Sequence, residues 1–201
     1  MEHTFPGATR PYAMVTTKPG YPYLGNGTQV VVTIMNDDHI YGFSHTHLSG
    51  TGIGDLGDVA LLPFSGGDSI KPVATFKKDT EKATPGYYAV RLDNFGINVE
   101  LTSTDRVGFH KYTYDNPKER RVLLDLGHIL QPNWGHKLVG NEYLFVNDSR
   151  WRVLSGRRDG HISILSLTGS HSRSRSKHYT SISTEIYGKI RCSCVSTHQT
   201  I

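Results

Sequence analysis

Apolar and polar residues alternate with a period of two through the middle of this chain. Over 97–102, Ile97, Val99 and Leu101 alternate with Asn98, Glu100 and Thr102, which puts the two sets on opposite faces of an extended strand. Residues 106–114 alternate again, with Val107, Phe109 and Lys111 on one side and Gly108, His110 and Tyr112 on the other. Short β-branched or apolar runs predict further strands at 29–35, 59–63, 73–77, 87–92, 121–126 and 141–146. Pro85-Gly86 and Asn94-Phe95-Gly96 supply turns between them. Helix signals are scarce. Many short strands separated by Gly, Pro and Asn turns predict a mainly β fold, an antiparallel β-sandwich.

The pattern changes near residue 149. Residues 149–201 contain 12 serines and the run "GSHSRSRSKHYTS". Such a segment buries too little apolar surface to offset the entropy of ordering it, so a disordered or irregular C-terminal tail is expected. The chain therefore divides into a sandwich over 1–148 and a basic Ser/Arg/His-rich tail over 149–201. Charge divides at the same place. Residues 1–148 hold 13 Lys+Arg against 16 Asp+Glu, whereas 149–201 hold 9 against 2. The basic pI belongs to the tail, and a nucleic-acid partner is not expected for the body.

Cys192 and Cys194 form a CxC pair whose disulfide would close a very small strained ring, so cysteine usage assigns no compartment. No run approaches the roughly 20 apolar residues of a membrane helix, and no membrane partner is expected. Met1-Glu2-His3-Thr4-Phe5 lacks the basic and apolar regions of a signal peptide. Localisation stays open.

The chemistry-bearing stretch is "IYGFSHTHLSGTGIGDLGDV", residues 40–59. If 41–47 is extended, Tyr41, Phe43, His45 and His47 share one face, with Ser44 and Thr46 on the other. An HxH pair can ligate zinc, but zinc takes at least three protein ligands and no third ligand has motif spacing here. No metal ligands are assigned. The glycine run lacks the Lys-Ser/Thr that completes a phosphate loop. Aromatic faces beside His and Asp can bind a sugar's ring and hydroxyls. Structural turns are the commoner explanation of such glycines, and the residues alone leave both readings open. Asp55, Asp58 and Glu81 read as surface carboxylates, so no catalytic residues are assigned. His110 reads as a strand-face residue and Trp134 as a packing residue.

Four blocks in order carry a resemblance: "HTFPGATRPYAMV" (3–15), "IYGFSHTHLSGTGIGDLGDVALLP" (40–63), "EKATPGYYAVRL" (81–92) and "VELTSTDRVGFHKYTY" (99–114). Together they resemble the N-terminal domain of glycoside hydrolase family 92 over roughly residues 3–145. The resemblance implies a supersandwich-like β domain that pairs with a larger (α/α)₆ barrel. It implies exo-acting, calcium-dependent, inverting α-mannosidases whose partner is a mannose-containing glycan, and whose members are often exported. Phe43, His45, His47 and Asp55 would then form one wall of the mannose site. Inversion needs a general acid and a general base with room for water between them. In the family these carboxylates, and most calcium ligands, belong to the barrel. This chain is expected to stop before the barrel, to bind no calcium itself and to be inactive without that missing domain. A stand-alone carbohydrate-binding module is the alternative. A nucleic-acid-binding protein with a basic tail is a third class.

One segment departs from the family pattern. Where a Trp-containing stretch ending Ser-Gly-Tyr-x-Tyr is typical, residues 28–38 read "TQVVVTIMNDD". Codons for Val30–Asn36 read from the third base can encode Ser-Gly-Tyr-His-Tyr-Glu. We read this as a local frame excursion, and the coding nucleotides decide it. An unrestored second excursion is one account of the tail.

Overall fold

The computed structural model describes residues 7–9, 16–20, 23–24, 28–29, 38–45, 47, 57, 59–66, 72–116, 120–128, 137–147, 150–157, 161–176 and 181–198. The first strands are β1 (Ala8–Thr9), β2 (Thr16–Gly20), β3 (Tyr23–Leu24), β4 (Thr28–Gln29), β5 (His39–Ile40), β6 (Gly42–Ser44), β7 (Ala60–Phe64) and β8 (Ala74–Thr75). A single 3-10 turn at Lys78–Thr80 precedes β9 (Lys82–Thr84), β10 (Tyr87–Leu92), β11 (Ile97–Ser103), β12 (Val107–Tyr114) and β13 (Arg121–Asp125). The chain then runs through β14 (Leu138–Asn147), β15 (Arg150–Arg157), β16 (His161–Ser176) and β17 (Ser181–His198).

The fold is mainly β and its pairings are antiparallel, as the alternation predicts. β1, β2, β6, β7 and β13 form one run of neighbours, and β12, β11, β10 and β9 form the other. β17 joins them. Its start pairs with β13 from Val122↔Thr184 to Asp125↔Ser181, and a later part pairs with β12 from Val107↔Ser193 to Lys111↔Lys189.

The second run is a meander whose inner face follows the period of two. Tyr88, Val90 and Leu92 on β10, and Ile97, Val99 and Leu101 on β11, are buried, while Asn98 and Thr102 are exposed. Gly96 turns β10 into β11 at φ 61°, a conformation that favours glycine. A Cβ there would stand 2.9 Å from Asp115 Oδ2. On the outer face Arg91 holds Asp115, with Nη2 and Oδ2 2.6 Å apart.

The first run is covered on both sides. All five residues of β7, Ala60, Leu61, Leu62, Pro63 and Phe64, are buried, the continuous apolar signature of a strand without a solvent face. Gly42 brings β6 close to β7, since a Cβ at this position would meet the Ala60 Cβ at 3.0 Å. The two runs meet through Phe43 of β6 and Tyr88 of β10, whose ring centroids are 6.5 Å apart. Ser103 Oγ at the end of β11 donates to the Ala8 carbonyl on β1 across 3.0 Å.

The strand expected at 29–35 is present only as Thr28–Gln29, paired with Tyr23–Leu24. Residues 30–37, which carry the proposed frame excursion, lie outside the described residues, as does Trp134. The described residues beyond 149 lie on β15, β16 and β17. The β16–β17 pairing slips between Thr168 and Ser170, and again between His171 and Arg173.

Candidate functional site

The opening stretch does not present one row of side chains to solvent. Only Gly42–Ser44 is strand, and His47 makes an isolated bridge. Tyr41 is 46% exposed, whereas Phe43 and His45 are 0% exposed and His47 is 7% exposed. Tyr41 therefore differs from Phe43, His45 and His47 in exposure. The reason is position in the sandwich: β6 lies between β2 and β7 and is covered on both sides, so Ser44 is buried too. Ser44 Oγ lies 2.9 Å from His47 Nε2. Asp55 lies outside the described residues.

His45 reaches across the sandwich to β12. Its Nε2 is 2.7 Å from His110 Nε2, and the two rings stand 4.8 Å apart by centroid. His110 Nδ1 is in turn 2.7 Å from the Tyr112 hydroxyl oxygen. His110 shares an inner-face row with its cross-strand partner Leu101, which pairs with Tyr88. The row that holds His110 therefore includes the aromatic ring against which Phe43 packs.

Electrostatics keep these imidazoles neutral. Burial pushes the His45 pKa down to about 4, partly offset by the nearby Val59 backbone and reinforced by His128. Burial pushes His110 well below its ordinary value as well, and the His45 charge adds to this. A charged imidazole here would lose its hydration, and no carboxylate among the described residues is bonded to either ring.

A further histidine, His128, fastens the far end of the glycine-rich stretch. His128 Nδ1 donates to the Gly57 carbonyl across 2.6 Å. Gly57 has φ 70° and Val59 φ 64°. A β-branched residue in the left-handed region is strained, so the surroundings must hold Val59 there. The bond from His128 to the Gly57 carbonyl is one tie on this turn.

Among the described residues no three His, Cys, Asp or Glu side chains gather in a metal-binding group. Several acids are engaged elsewhere. Glu100 pairs with Lys111 and accepts from Tyr87, Asp115 pairs with Arg91, and Glu81 pairs with Lys78 and accepts from Tyr88. These residues do not fit a calcium site.

Sequence reasoning missed His110, Tyr112 and His128 as site residues. One signal was available: Gly108, His110 and Tyr112 fall on a single strand face. Their polarity points that face outward, and only the partner at His45 explains why it turns inward.

Residues 1–192 match the family model described as the glycosyl hydrolase family 92 N-terminal domain. This span continues past residue 149 and ends within β17. An uncharacterized secreted glycosidase from Arthroderma benhamiae is 32% identical over 143 residues, covering 62% of this chain and 18% of that protein. Among solved structures, a family 92 alpha-mannosidase from Bacteroides thetaiotaomicron in complex with mannoimidazole superposes with a TM-score of 0.78 at 22% identity, over 99% of this chain and 31% of that one. A family 92 inverting mannosidase from Bacteroides thetaiotaomicron gives a TM-score of 0.72 at 18% identity, over 98% of this chain and 29% of that one. This chain thus spans less than a third of the length of these relatives.

Proposed function

This chain belongs to glycosyl hydrolase family 92, and we propose that it is the sandwich half of an exo-acting, calcium-dependent α-mannosidase that acts on mannose-containing glycans. The observation that carries the reading is the match of residues 1–192 to the family's N-terminal domain, together with a span of 31% of a mannosidase chain of like fold. In this reading the turn at Gly57–Val59, and the stretch leading to it, form one wall of the sugar site. The general acid, the general base and the calcium ligands come from residues beyond this domain.

Two features of the chain support a docking partner for the sandwich. Phe43 and His45 lie in the core, so they shape the wall from behind rather than touch sugar. His47 and Asp55 remain the proposed contact residues from this stretch. On β14, Val139, Leu144 and Val146 are exposed, an apolar strip suited to cover by another domain.

Hydrolysis and binding assays test the reading. The purified 201-residue chain, given calcium and an aryl α-mannoside, is expected to release no product. Turnover would overturn the assignment of the reactive carboxylates to residues outside it. The same chain mixed with a separately produced barrel domain is expected to recover turnover, and failure to do so with a folded barrel counts against the reading.

A second reading, carbohydrate binding without turnover, is favoured by a pocket of about 250 Å³ on the meander, lined by Tyr87, Glu100, Thr102, Phe109 and Lys111 among others. Aromatic rings beside a carboxylate and an ammonium group suit a sugar. Titration calorimetry with mannose decides it. No heat at millimolar sugar, or heat unchanged by Tyr87→Ala, overturns it.

A further inference from the structure

One carboxylate ties three strands together on the outer face of the meander. Glu100 of β11 lies opposite Lys111 of β12, and Thr102 lies opposite both Tyr87 of β10 and Phe109 of β12. Lys111 pairs with Oε2 of Glu100. The Tyr87 hydroxyl donates to the other oxygen, Oε1, across 3.0 Å. Tyr87 thus reaches diagonally over β11, past its own cross-strand partner Thr102. The Thr102 hydroxyl donates to the Gly86 carbonyl across 2.7 Å.

These side chains enclose the cavity of about 250 Å³. The backbones that carry Tyr87 and Phe109 stand two strand spacings apart, about 10 Å, with the small Thr102 between them. Leu101 and His110 also line the cavity. Each is 1% exposed with its side chain in the core, so they supply the floor beneath the two outer rows.

The chemistry of the lining selects a ligand class. Glu100 and Lys111 offset each other's charge, which disfavours a singly charged ligand. A carboxylate has about four acceptor sites and an ammonium has three N–H groups, more than the Tyr87 and Lys111 contacts use. One ligand hydroxyl can donate to the carboxylate while its neighbour accepts from the ammonium, and both bonds are charge-assisted. Tyr87 is 37% exposed, and its ring face suits C–H groups. A pyranose has adjacent hydroxyls on its rim and C–H groups on its face.

We propose that this pocket seats one pyranose ring, with two adjacent hydroxyls on Glu100 and Lys111 and its C–H face on Tyr87. The proposal rests on the carbohydrate-binding reading of the pocket and adds which part of the sugar is read. Thr102 offers a hydroxyl oxygen as an acceptor, and Phe109 closes the far side. Contacts within the chain hold Tyr87, Glu100 and Lys111 in place, which lowers the ordering cost of binding.

Methyl α-mannoside and its four monodeoxy analogues test it on the intact 201-residue protein, by calorimetry and by amide chemical shifts. The parent sugar is expected to bind and to shift the Thr102 and Lys111 amides. Loss of either of two adjacent hydroxyls is expected to weaken binding about tenfold, while the remaining analogues bind as the parent does. Sensitivity at a single position, or equal binding by every analogue, overturns the diol. Shifts near Gly57 and Val59 with Thr102 and Lys111 unmoved overturn the pocket.

Surface variants separate the two readings. Glu100→Gln and Lys111→Met are each expected to weaken binding about tenfold. Arg91→Met, in the Arg91–Asn98–Thr113 row of the same meander, is expected to leave it unchanged. Binding that needs Tyr87 but ignores Glu100, Lys111 and the deoxy positions overturns this proposal and leaves the carbohydrate-binding reading standing. No binding of methyl α-mannoside at millimolar concentration overturns that reading, and this proposal with it.

Discussion

His45 and His110 face each other across the sandwich with their Nε2 atoms 2.7 Å apart, and neither ring is accessible to solvent beyond 1%. One proton fits between those nitrogens. A second proton would add charge with no described carboxylate against either ring, in a region where ions are strongly disfavoured.

Acid stability follows from that constraint. Both folded pKa values lie below the ordinary histidine value, His45 at about 4. The unfolded chain binds protons near pH 6.5 while the folded one does not, so stability rises with pH across this interval. The contribution is full above about pH 6.5 and is lost as pH falls toward 4. For His45 alone the loss is roughly 3 kcal/mol. Urea midpoints measured from pH 7.5 to pH 4 are expected to fall. In a His45→Gln, His110→Gln double variant the fall is expected to be much smaller.

Phe43 is expected to be a core residue in its energetics. Its ring is fully buried against Tyr88, so Phe43→Ala should cost about 3–5 kcal/mol of unfolding free energy. Tyr41→Ala, two residues away and 46% exposed, should change stability by no more than about 0.5 kcal/mol. Denaturant titration of both variants checks the contrast, which a shared solvent-facing row would not produce.

Gly96→Ala tests the turn between β10 and β11. The φ of 61° and the Asp115 carboxylate 2.9 Å from a built Cβ both oppose a side chain. The cost is expected to be about 1–2 kcal/mol from backbone conformation alone, read as a lowered thermal midpoint. Gly86→Ala has the same φ penalty at 76° but open space, its nearest contact being 3.9 Å away. It should lose less.

Ser103→Ala removes a buried bond between the ends of β11 and β1. The Ala8 carbonyl then loses the Ser103 hydroxyl as a donor. A loss of about 1–3 kcal/mol is expected. Amide exchange should rise first around β1, which the severed bond tied to the meander.

The strands of the meander were legible because burial there is one-sided and local. The alternation of Ile97, Val99 and Leu101 needs no knowledge of the rest of the chain, and neither does the Gly96 turn. β7 was legible as a continuous apolar run. The site was much less so. His45 looked like a ligand because HxH spacing is visible and its partner is not. His110 looked peripheral because a polar residue on a strand is normally turned to water. Each becomes intelligible only as half of a pair, and pairing across 65 residues leaves no trace in a local pattern. The burial of 43–47 was hidden for a related reason: period two says which residues share a side, but not whether that side meets water.

The depth of the His45–His110 contact has a practical consequence. Reagents that acylate imidazole need a free nitrogen lone pair and direct access, and the closed protein offers neither at these two rings. Their labelling can proceed only during excursions that part β6 from β12. Partly exposed His39 would label promptly, so one mass-spectrometric time course would carry its own internal control. The slow histidines would then serve as a clock for how often the interior breathes.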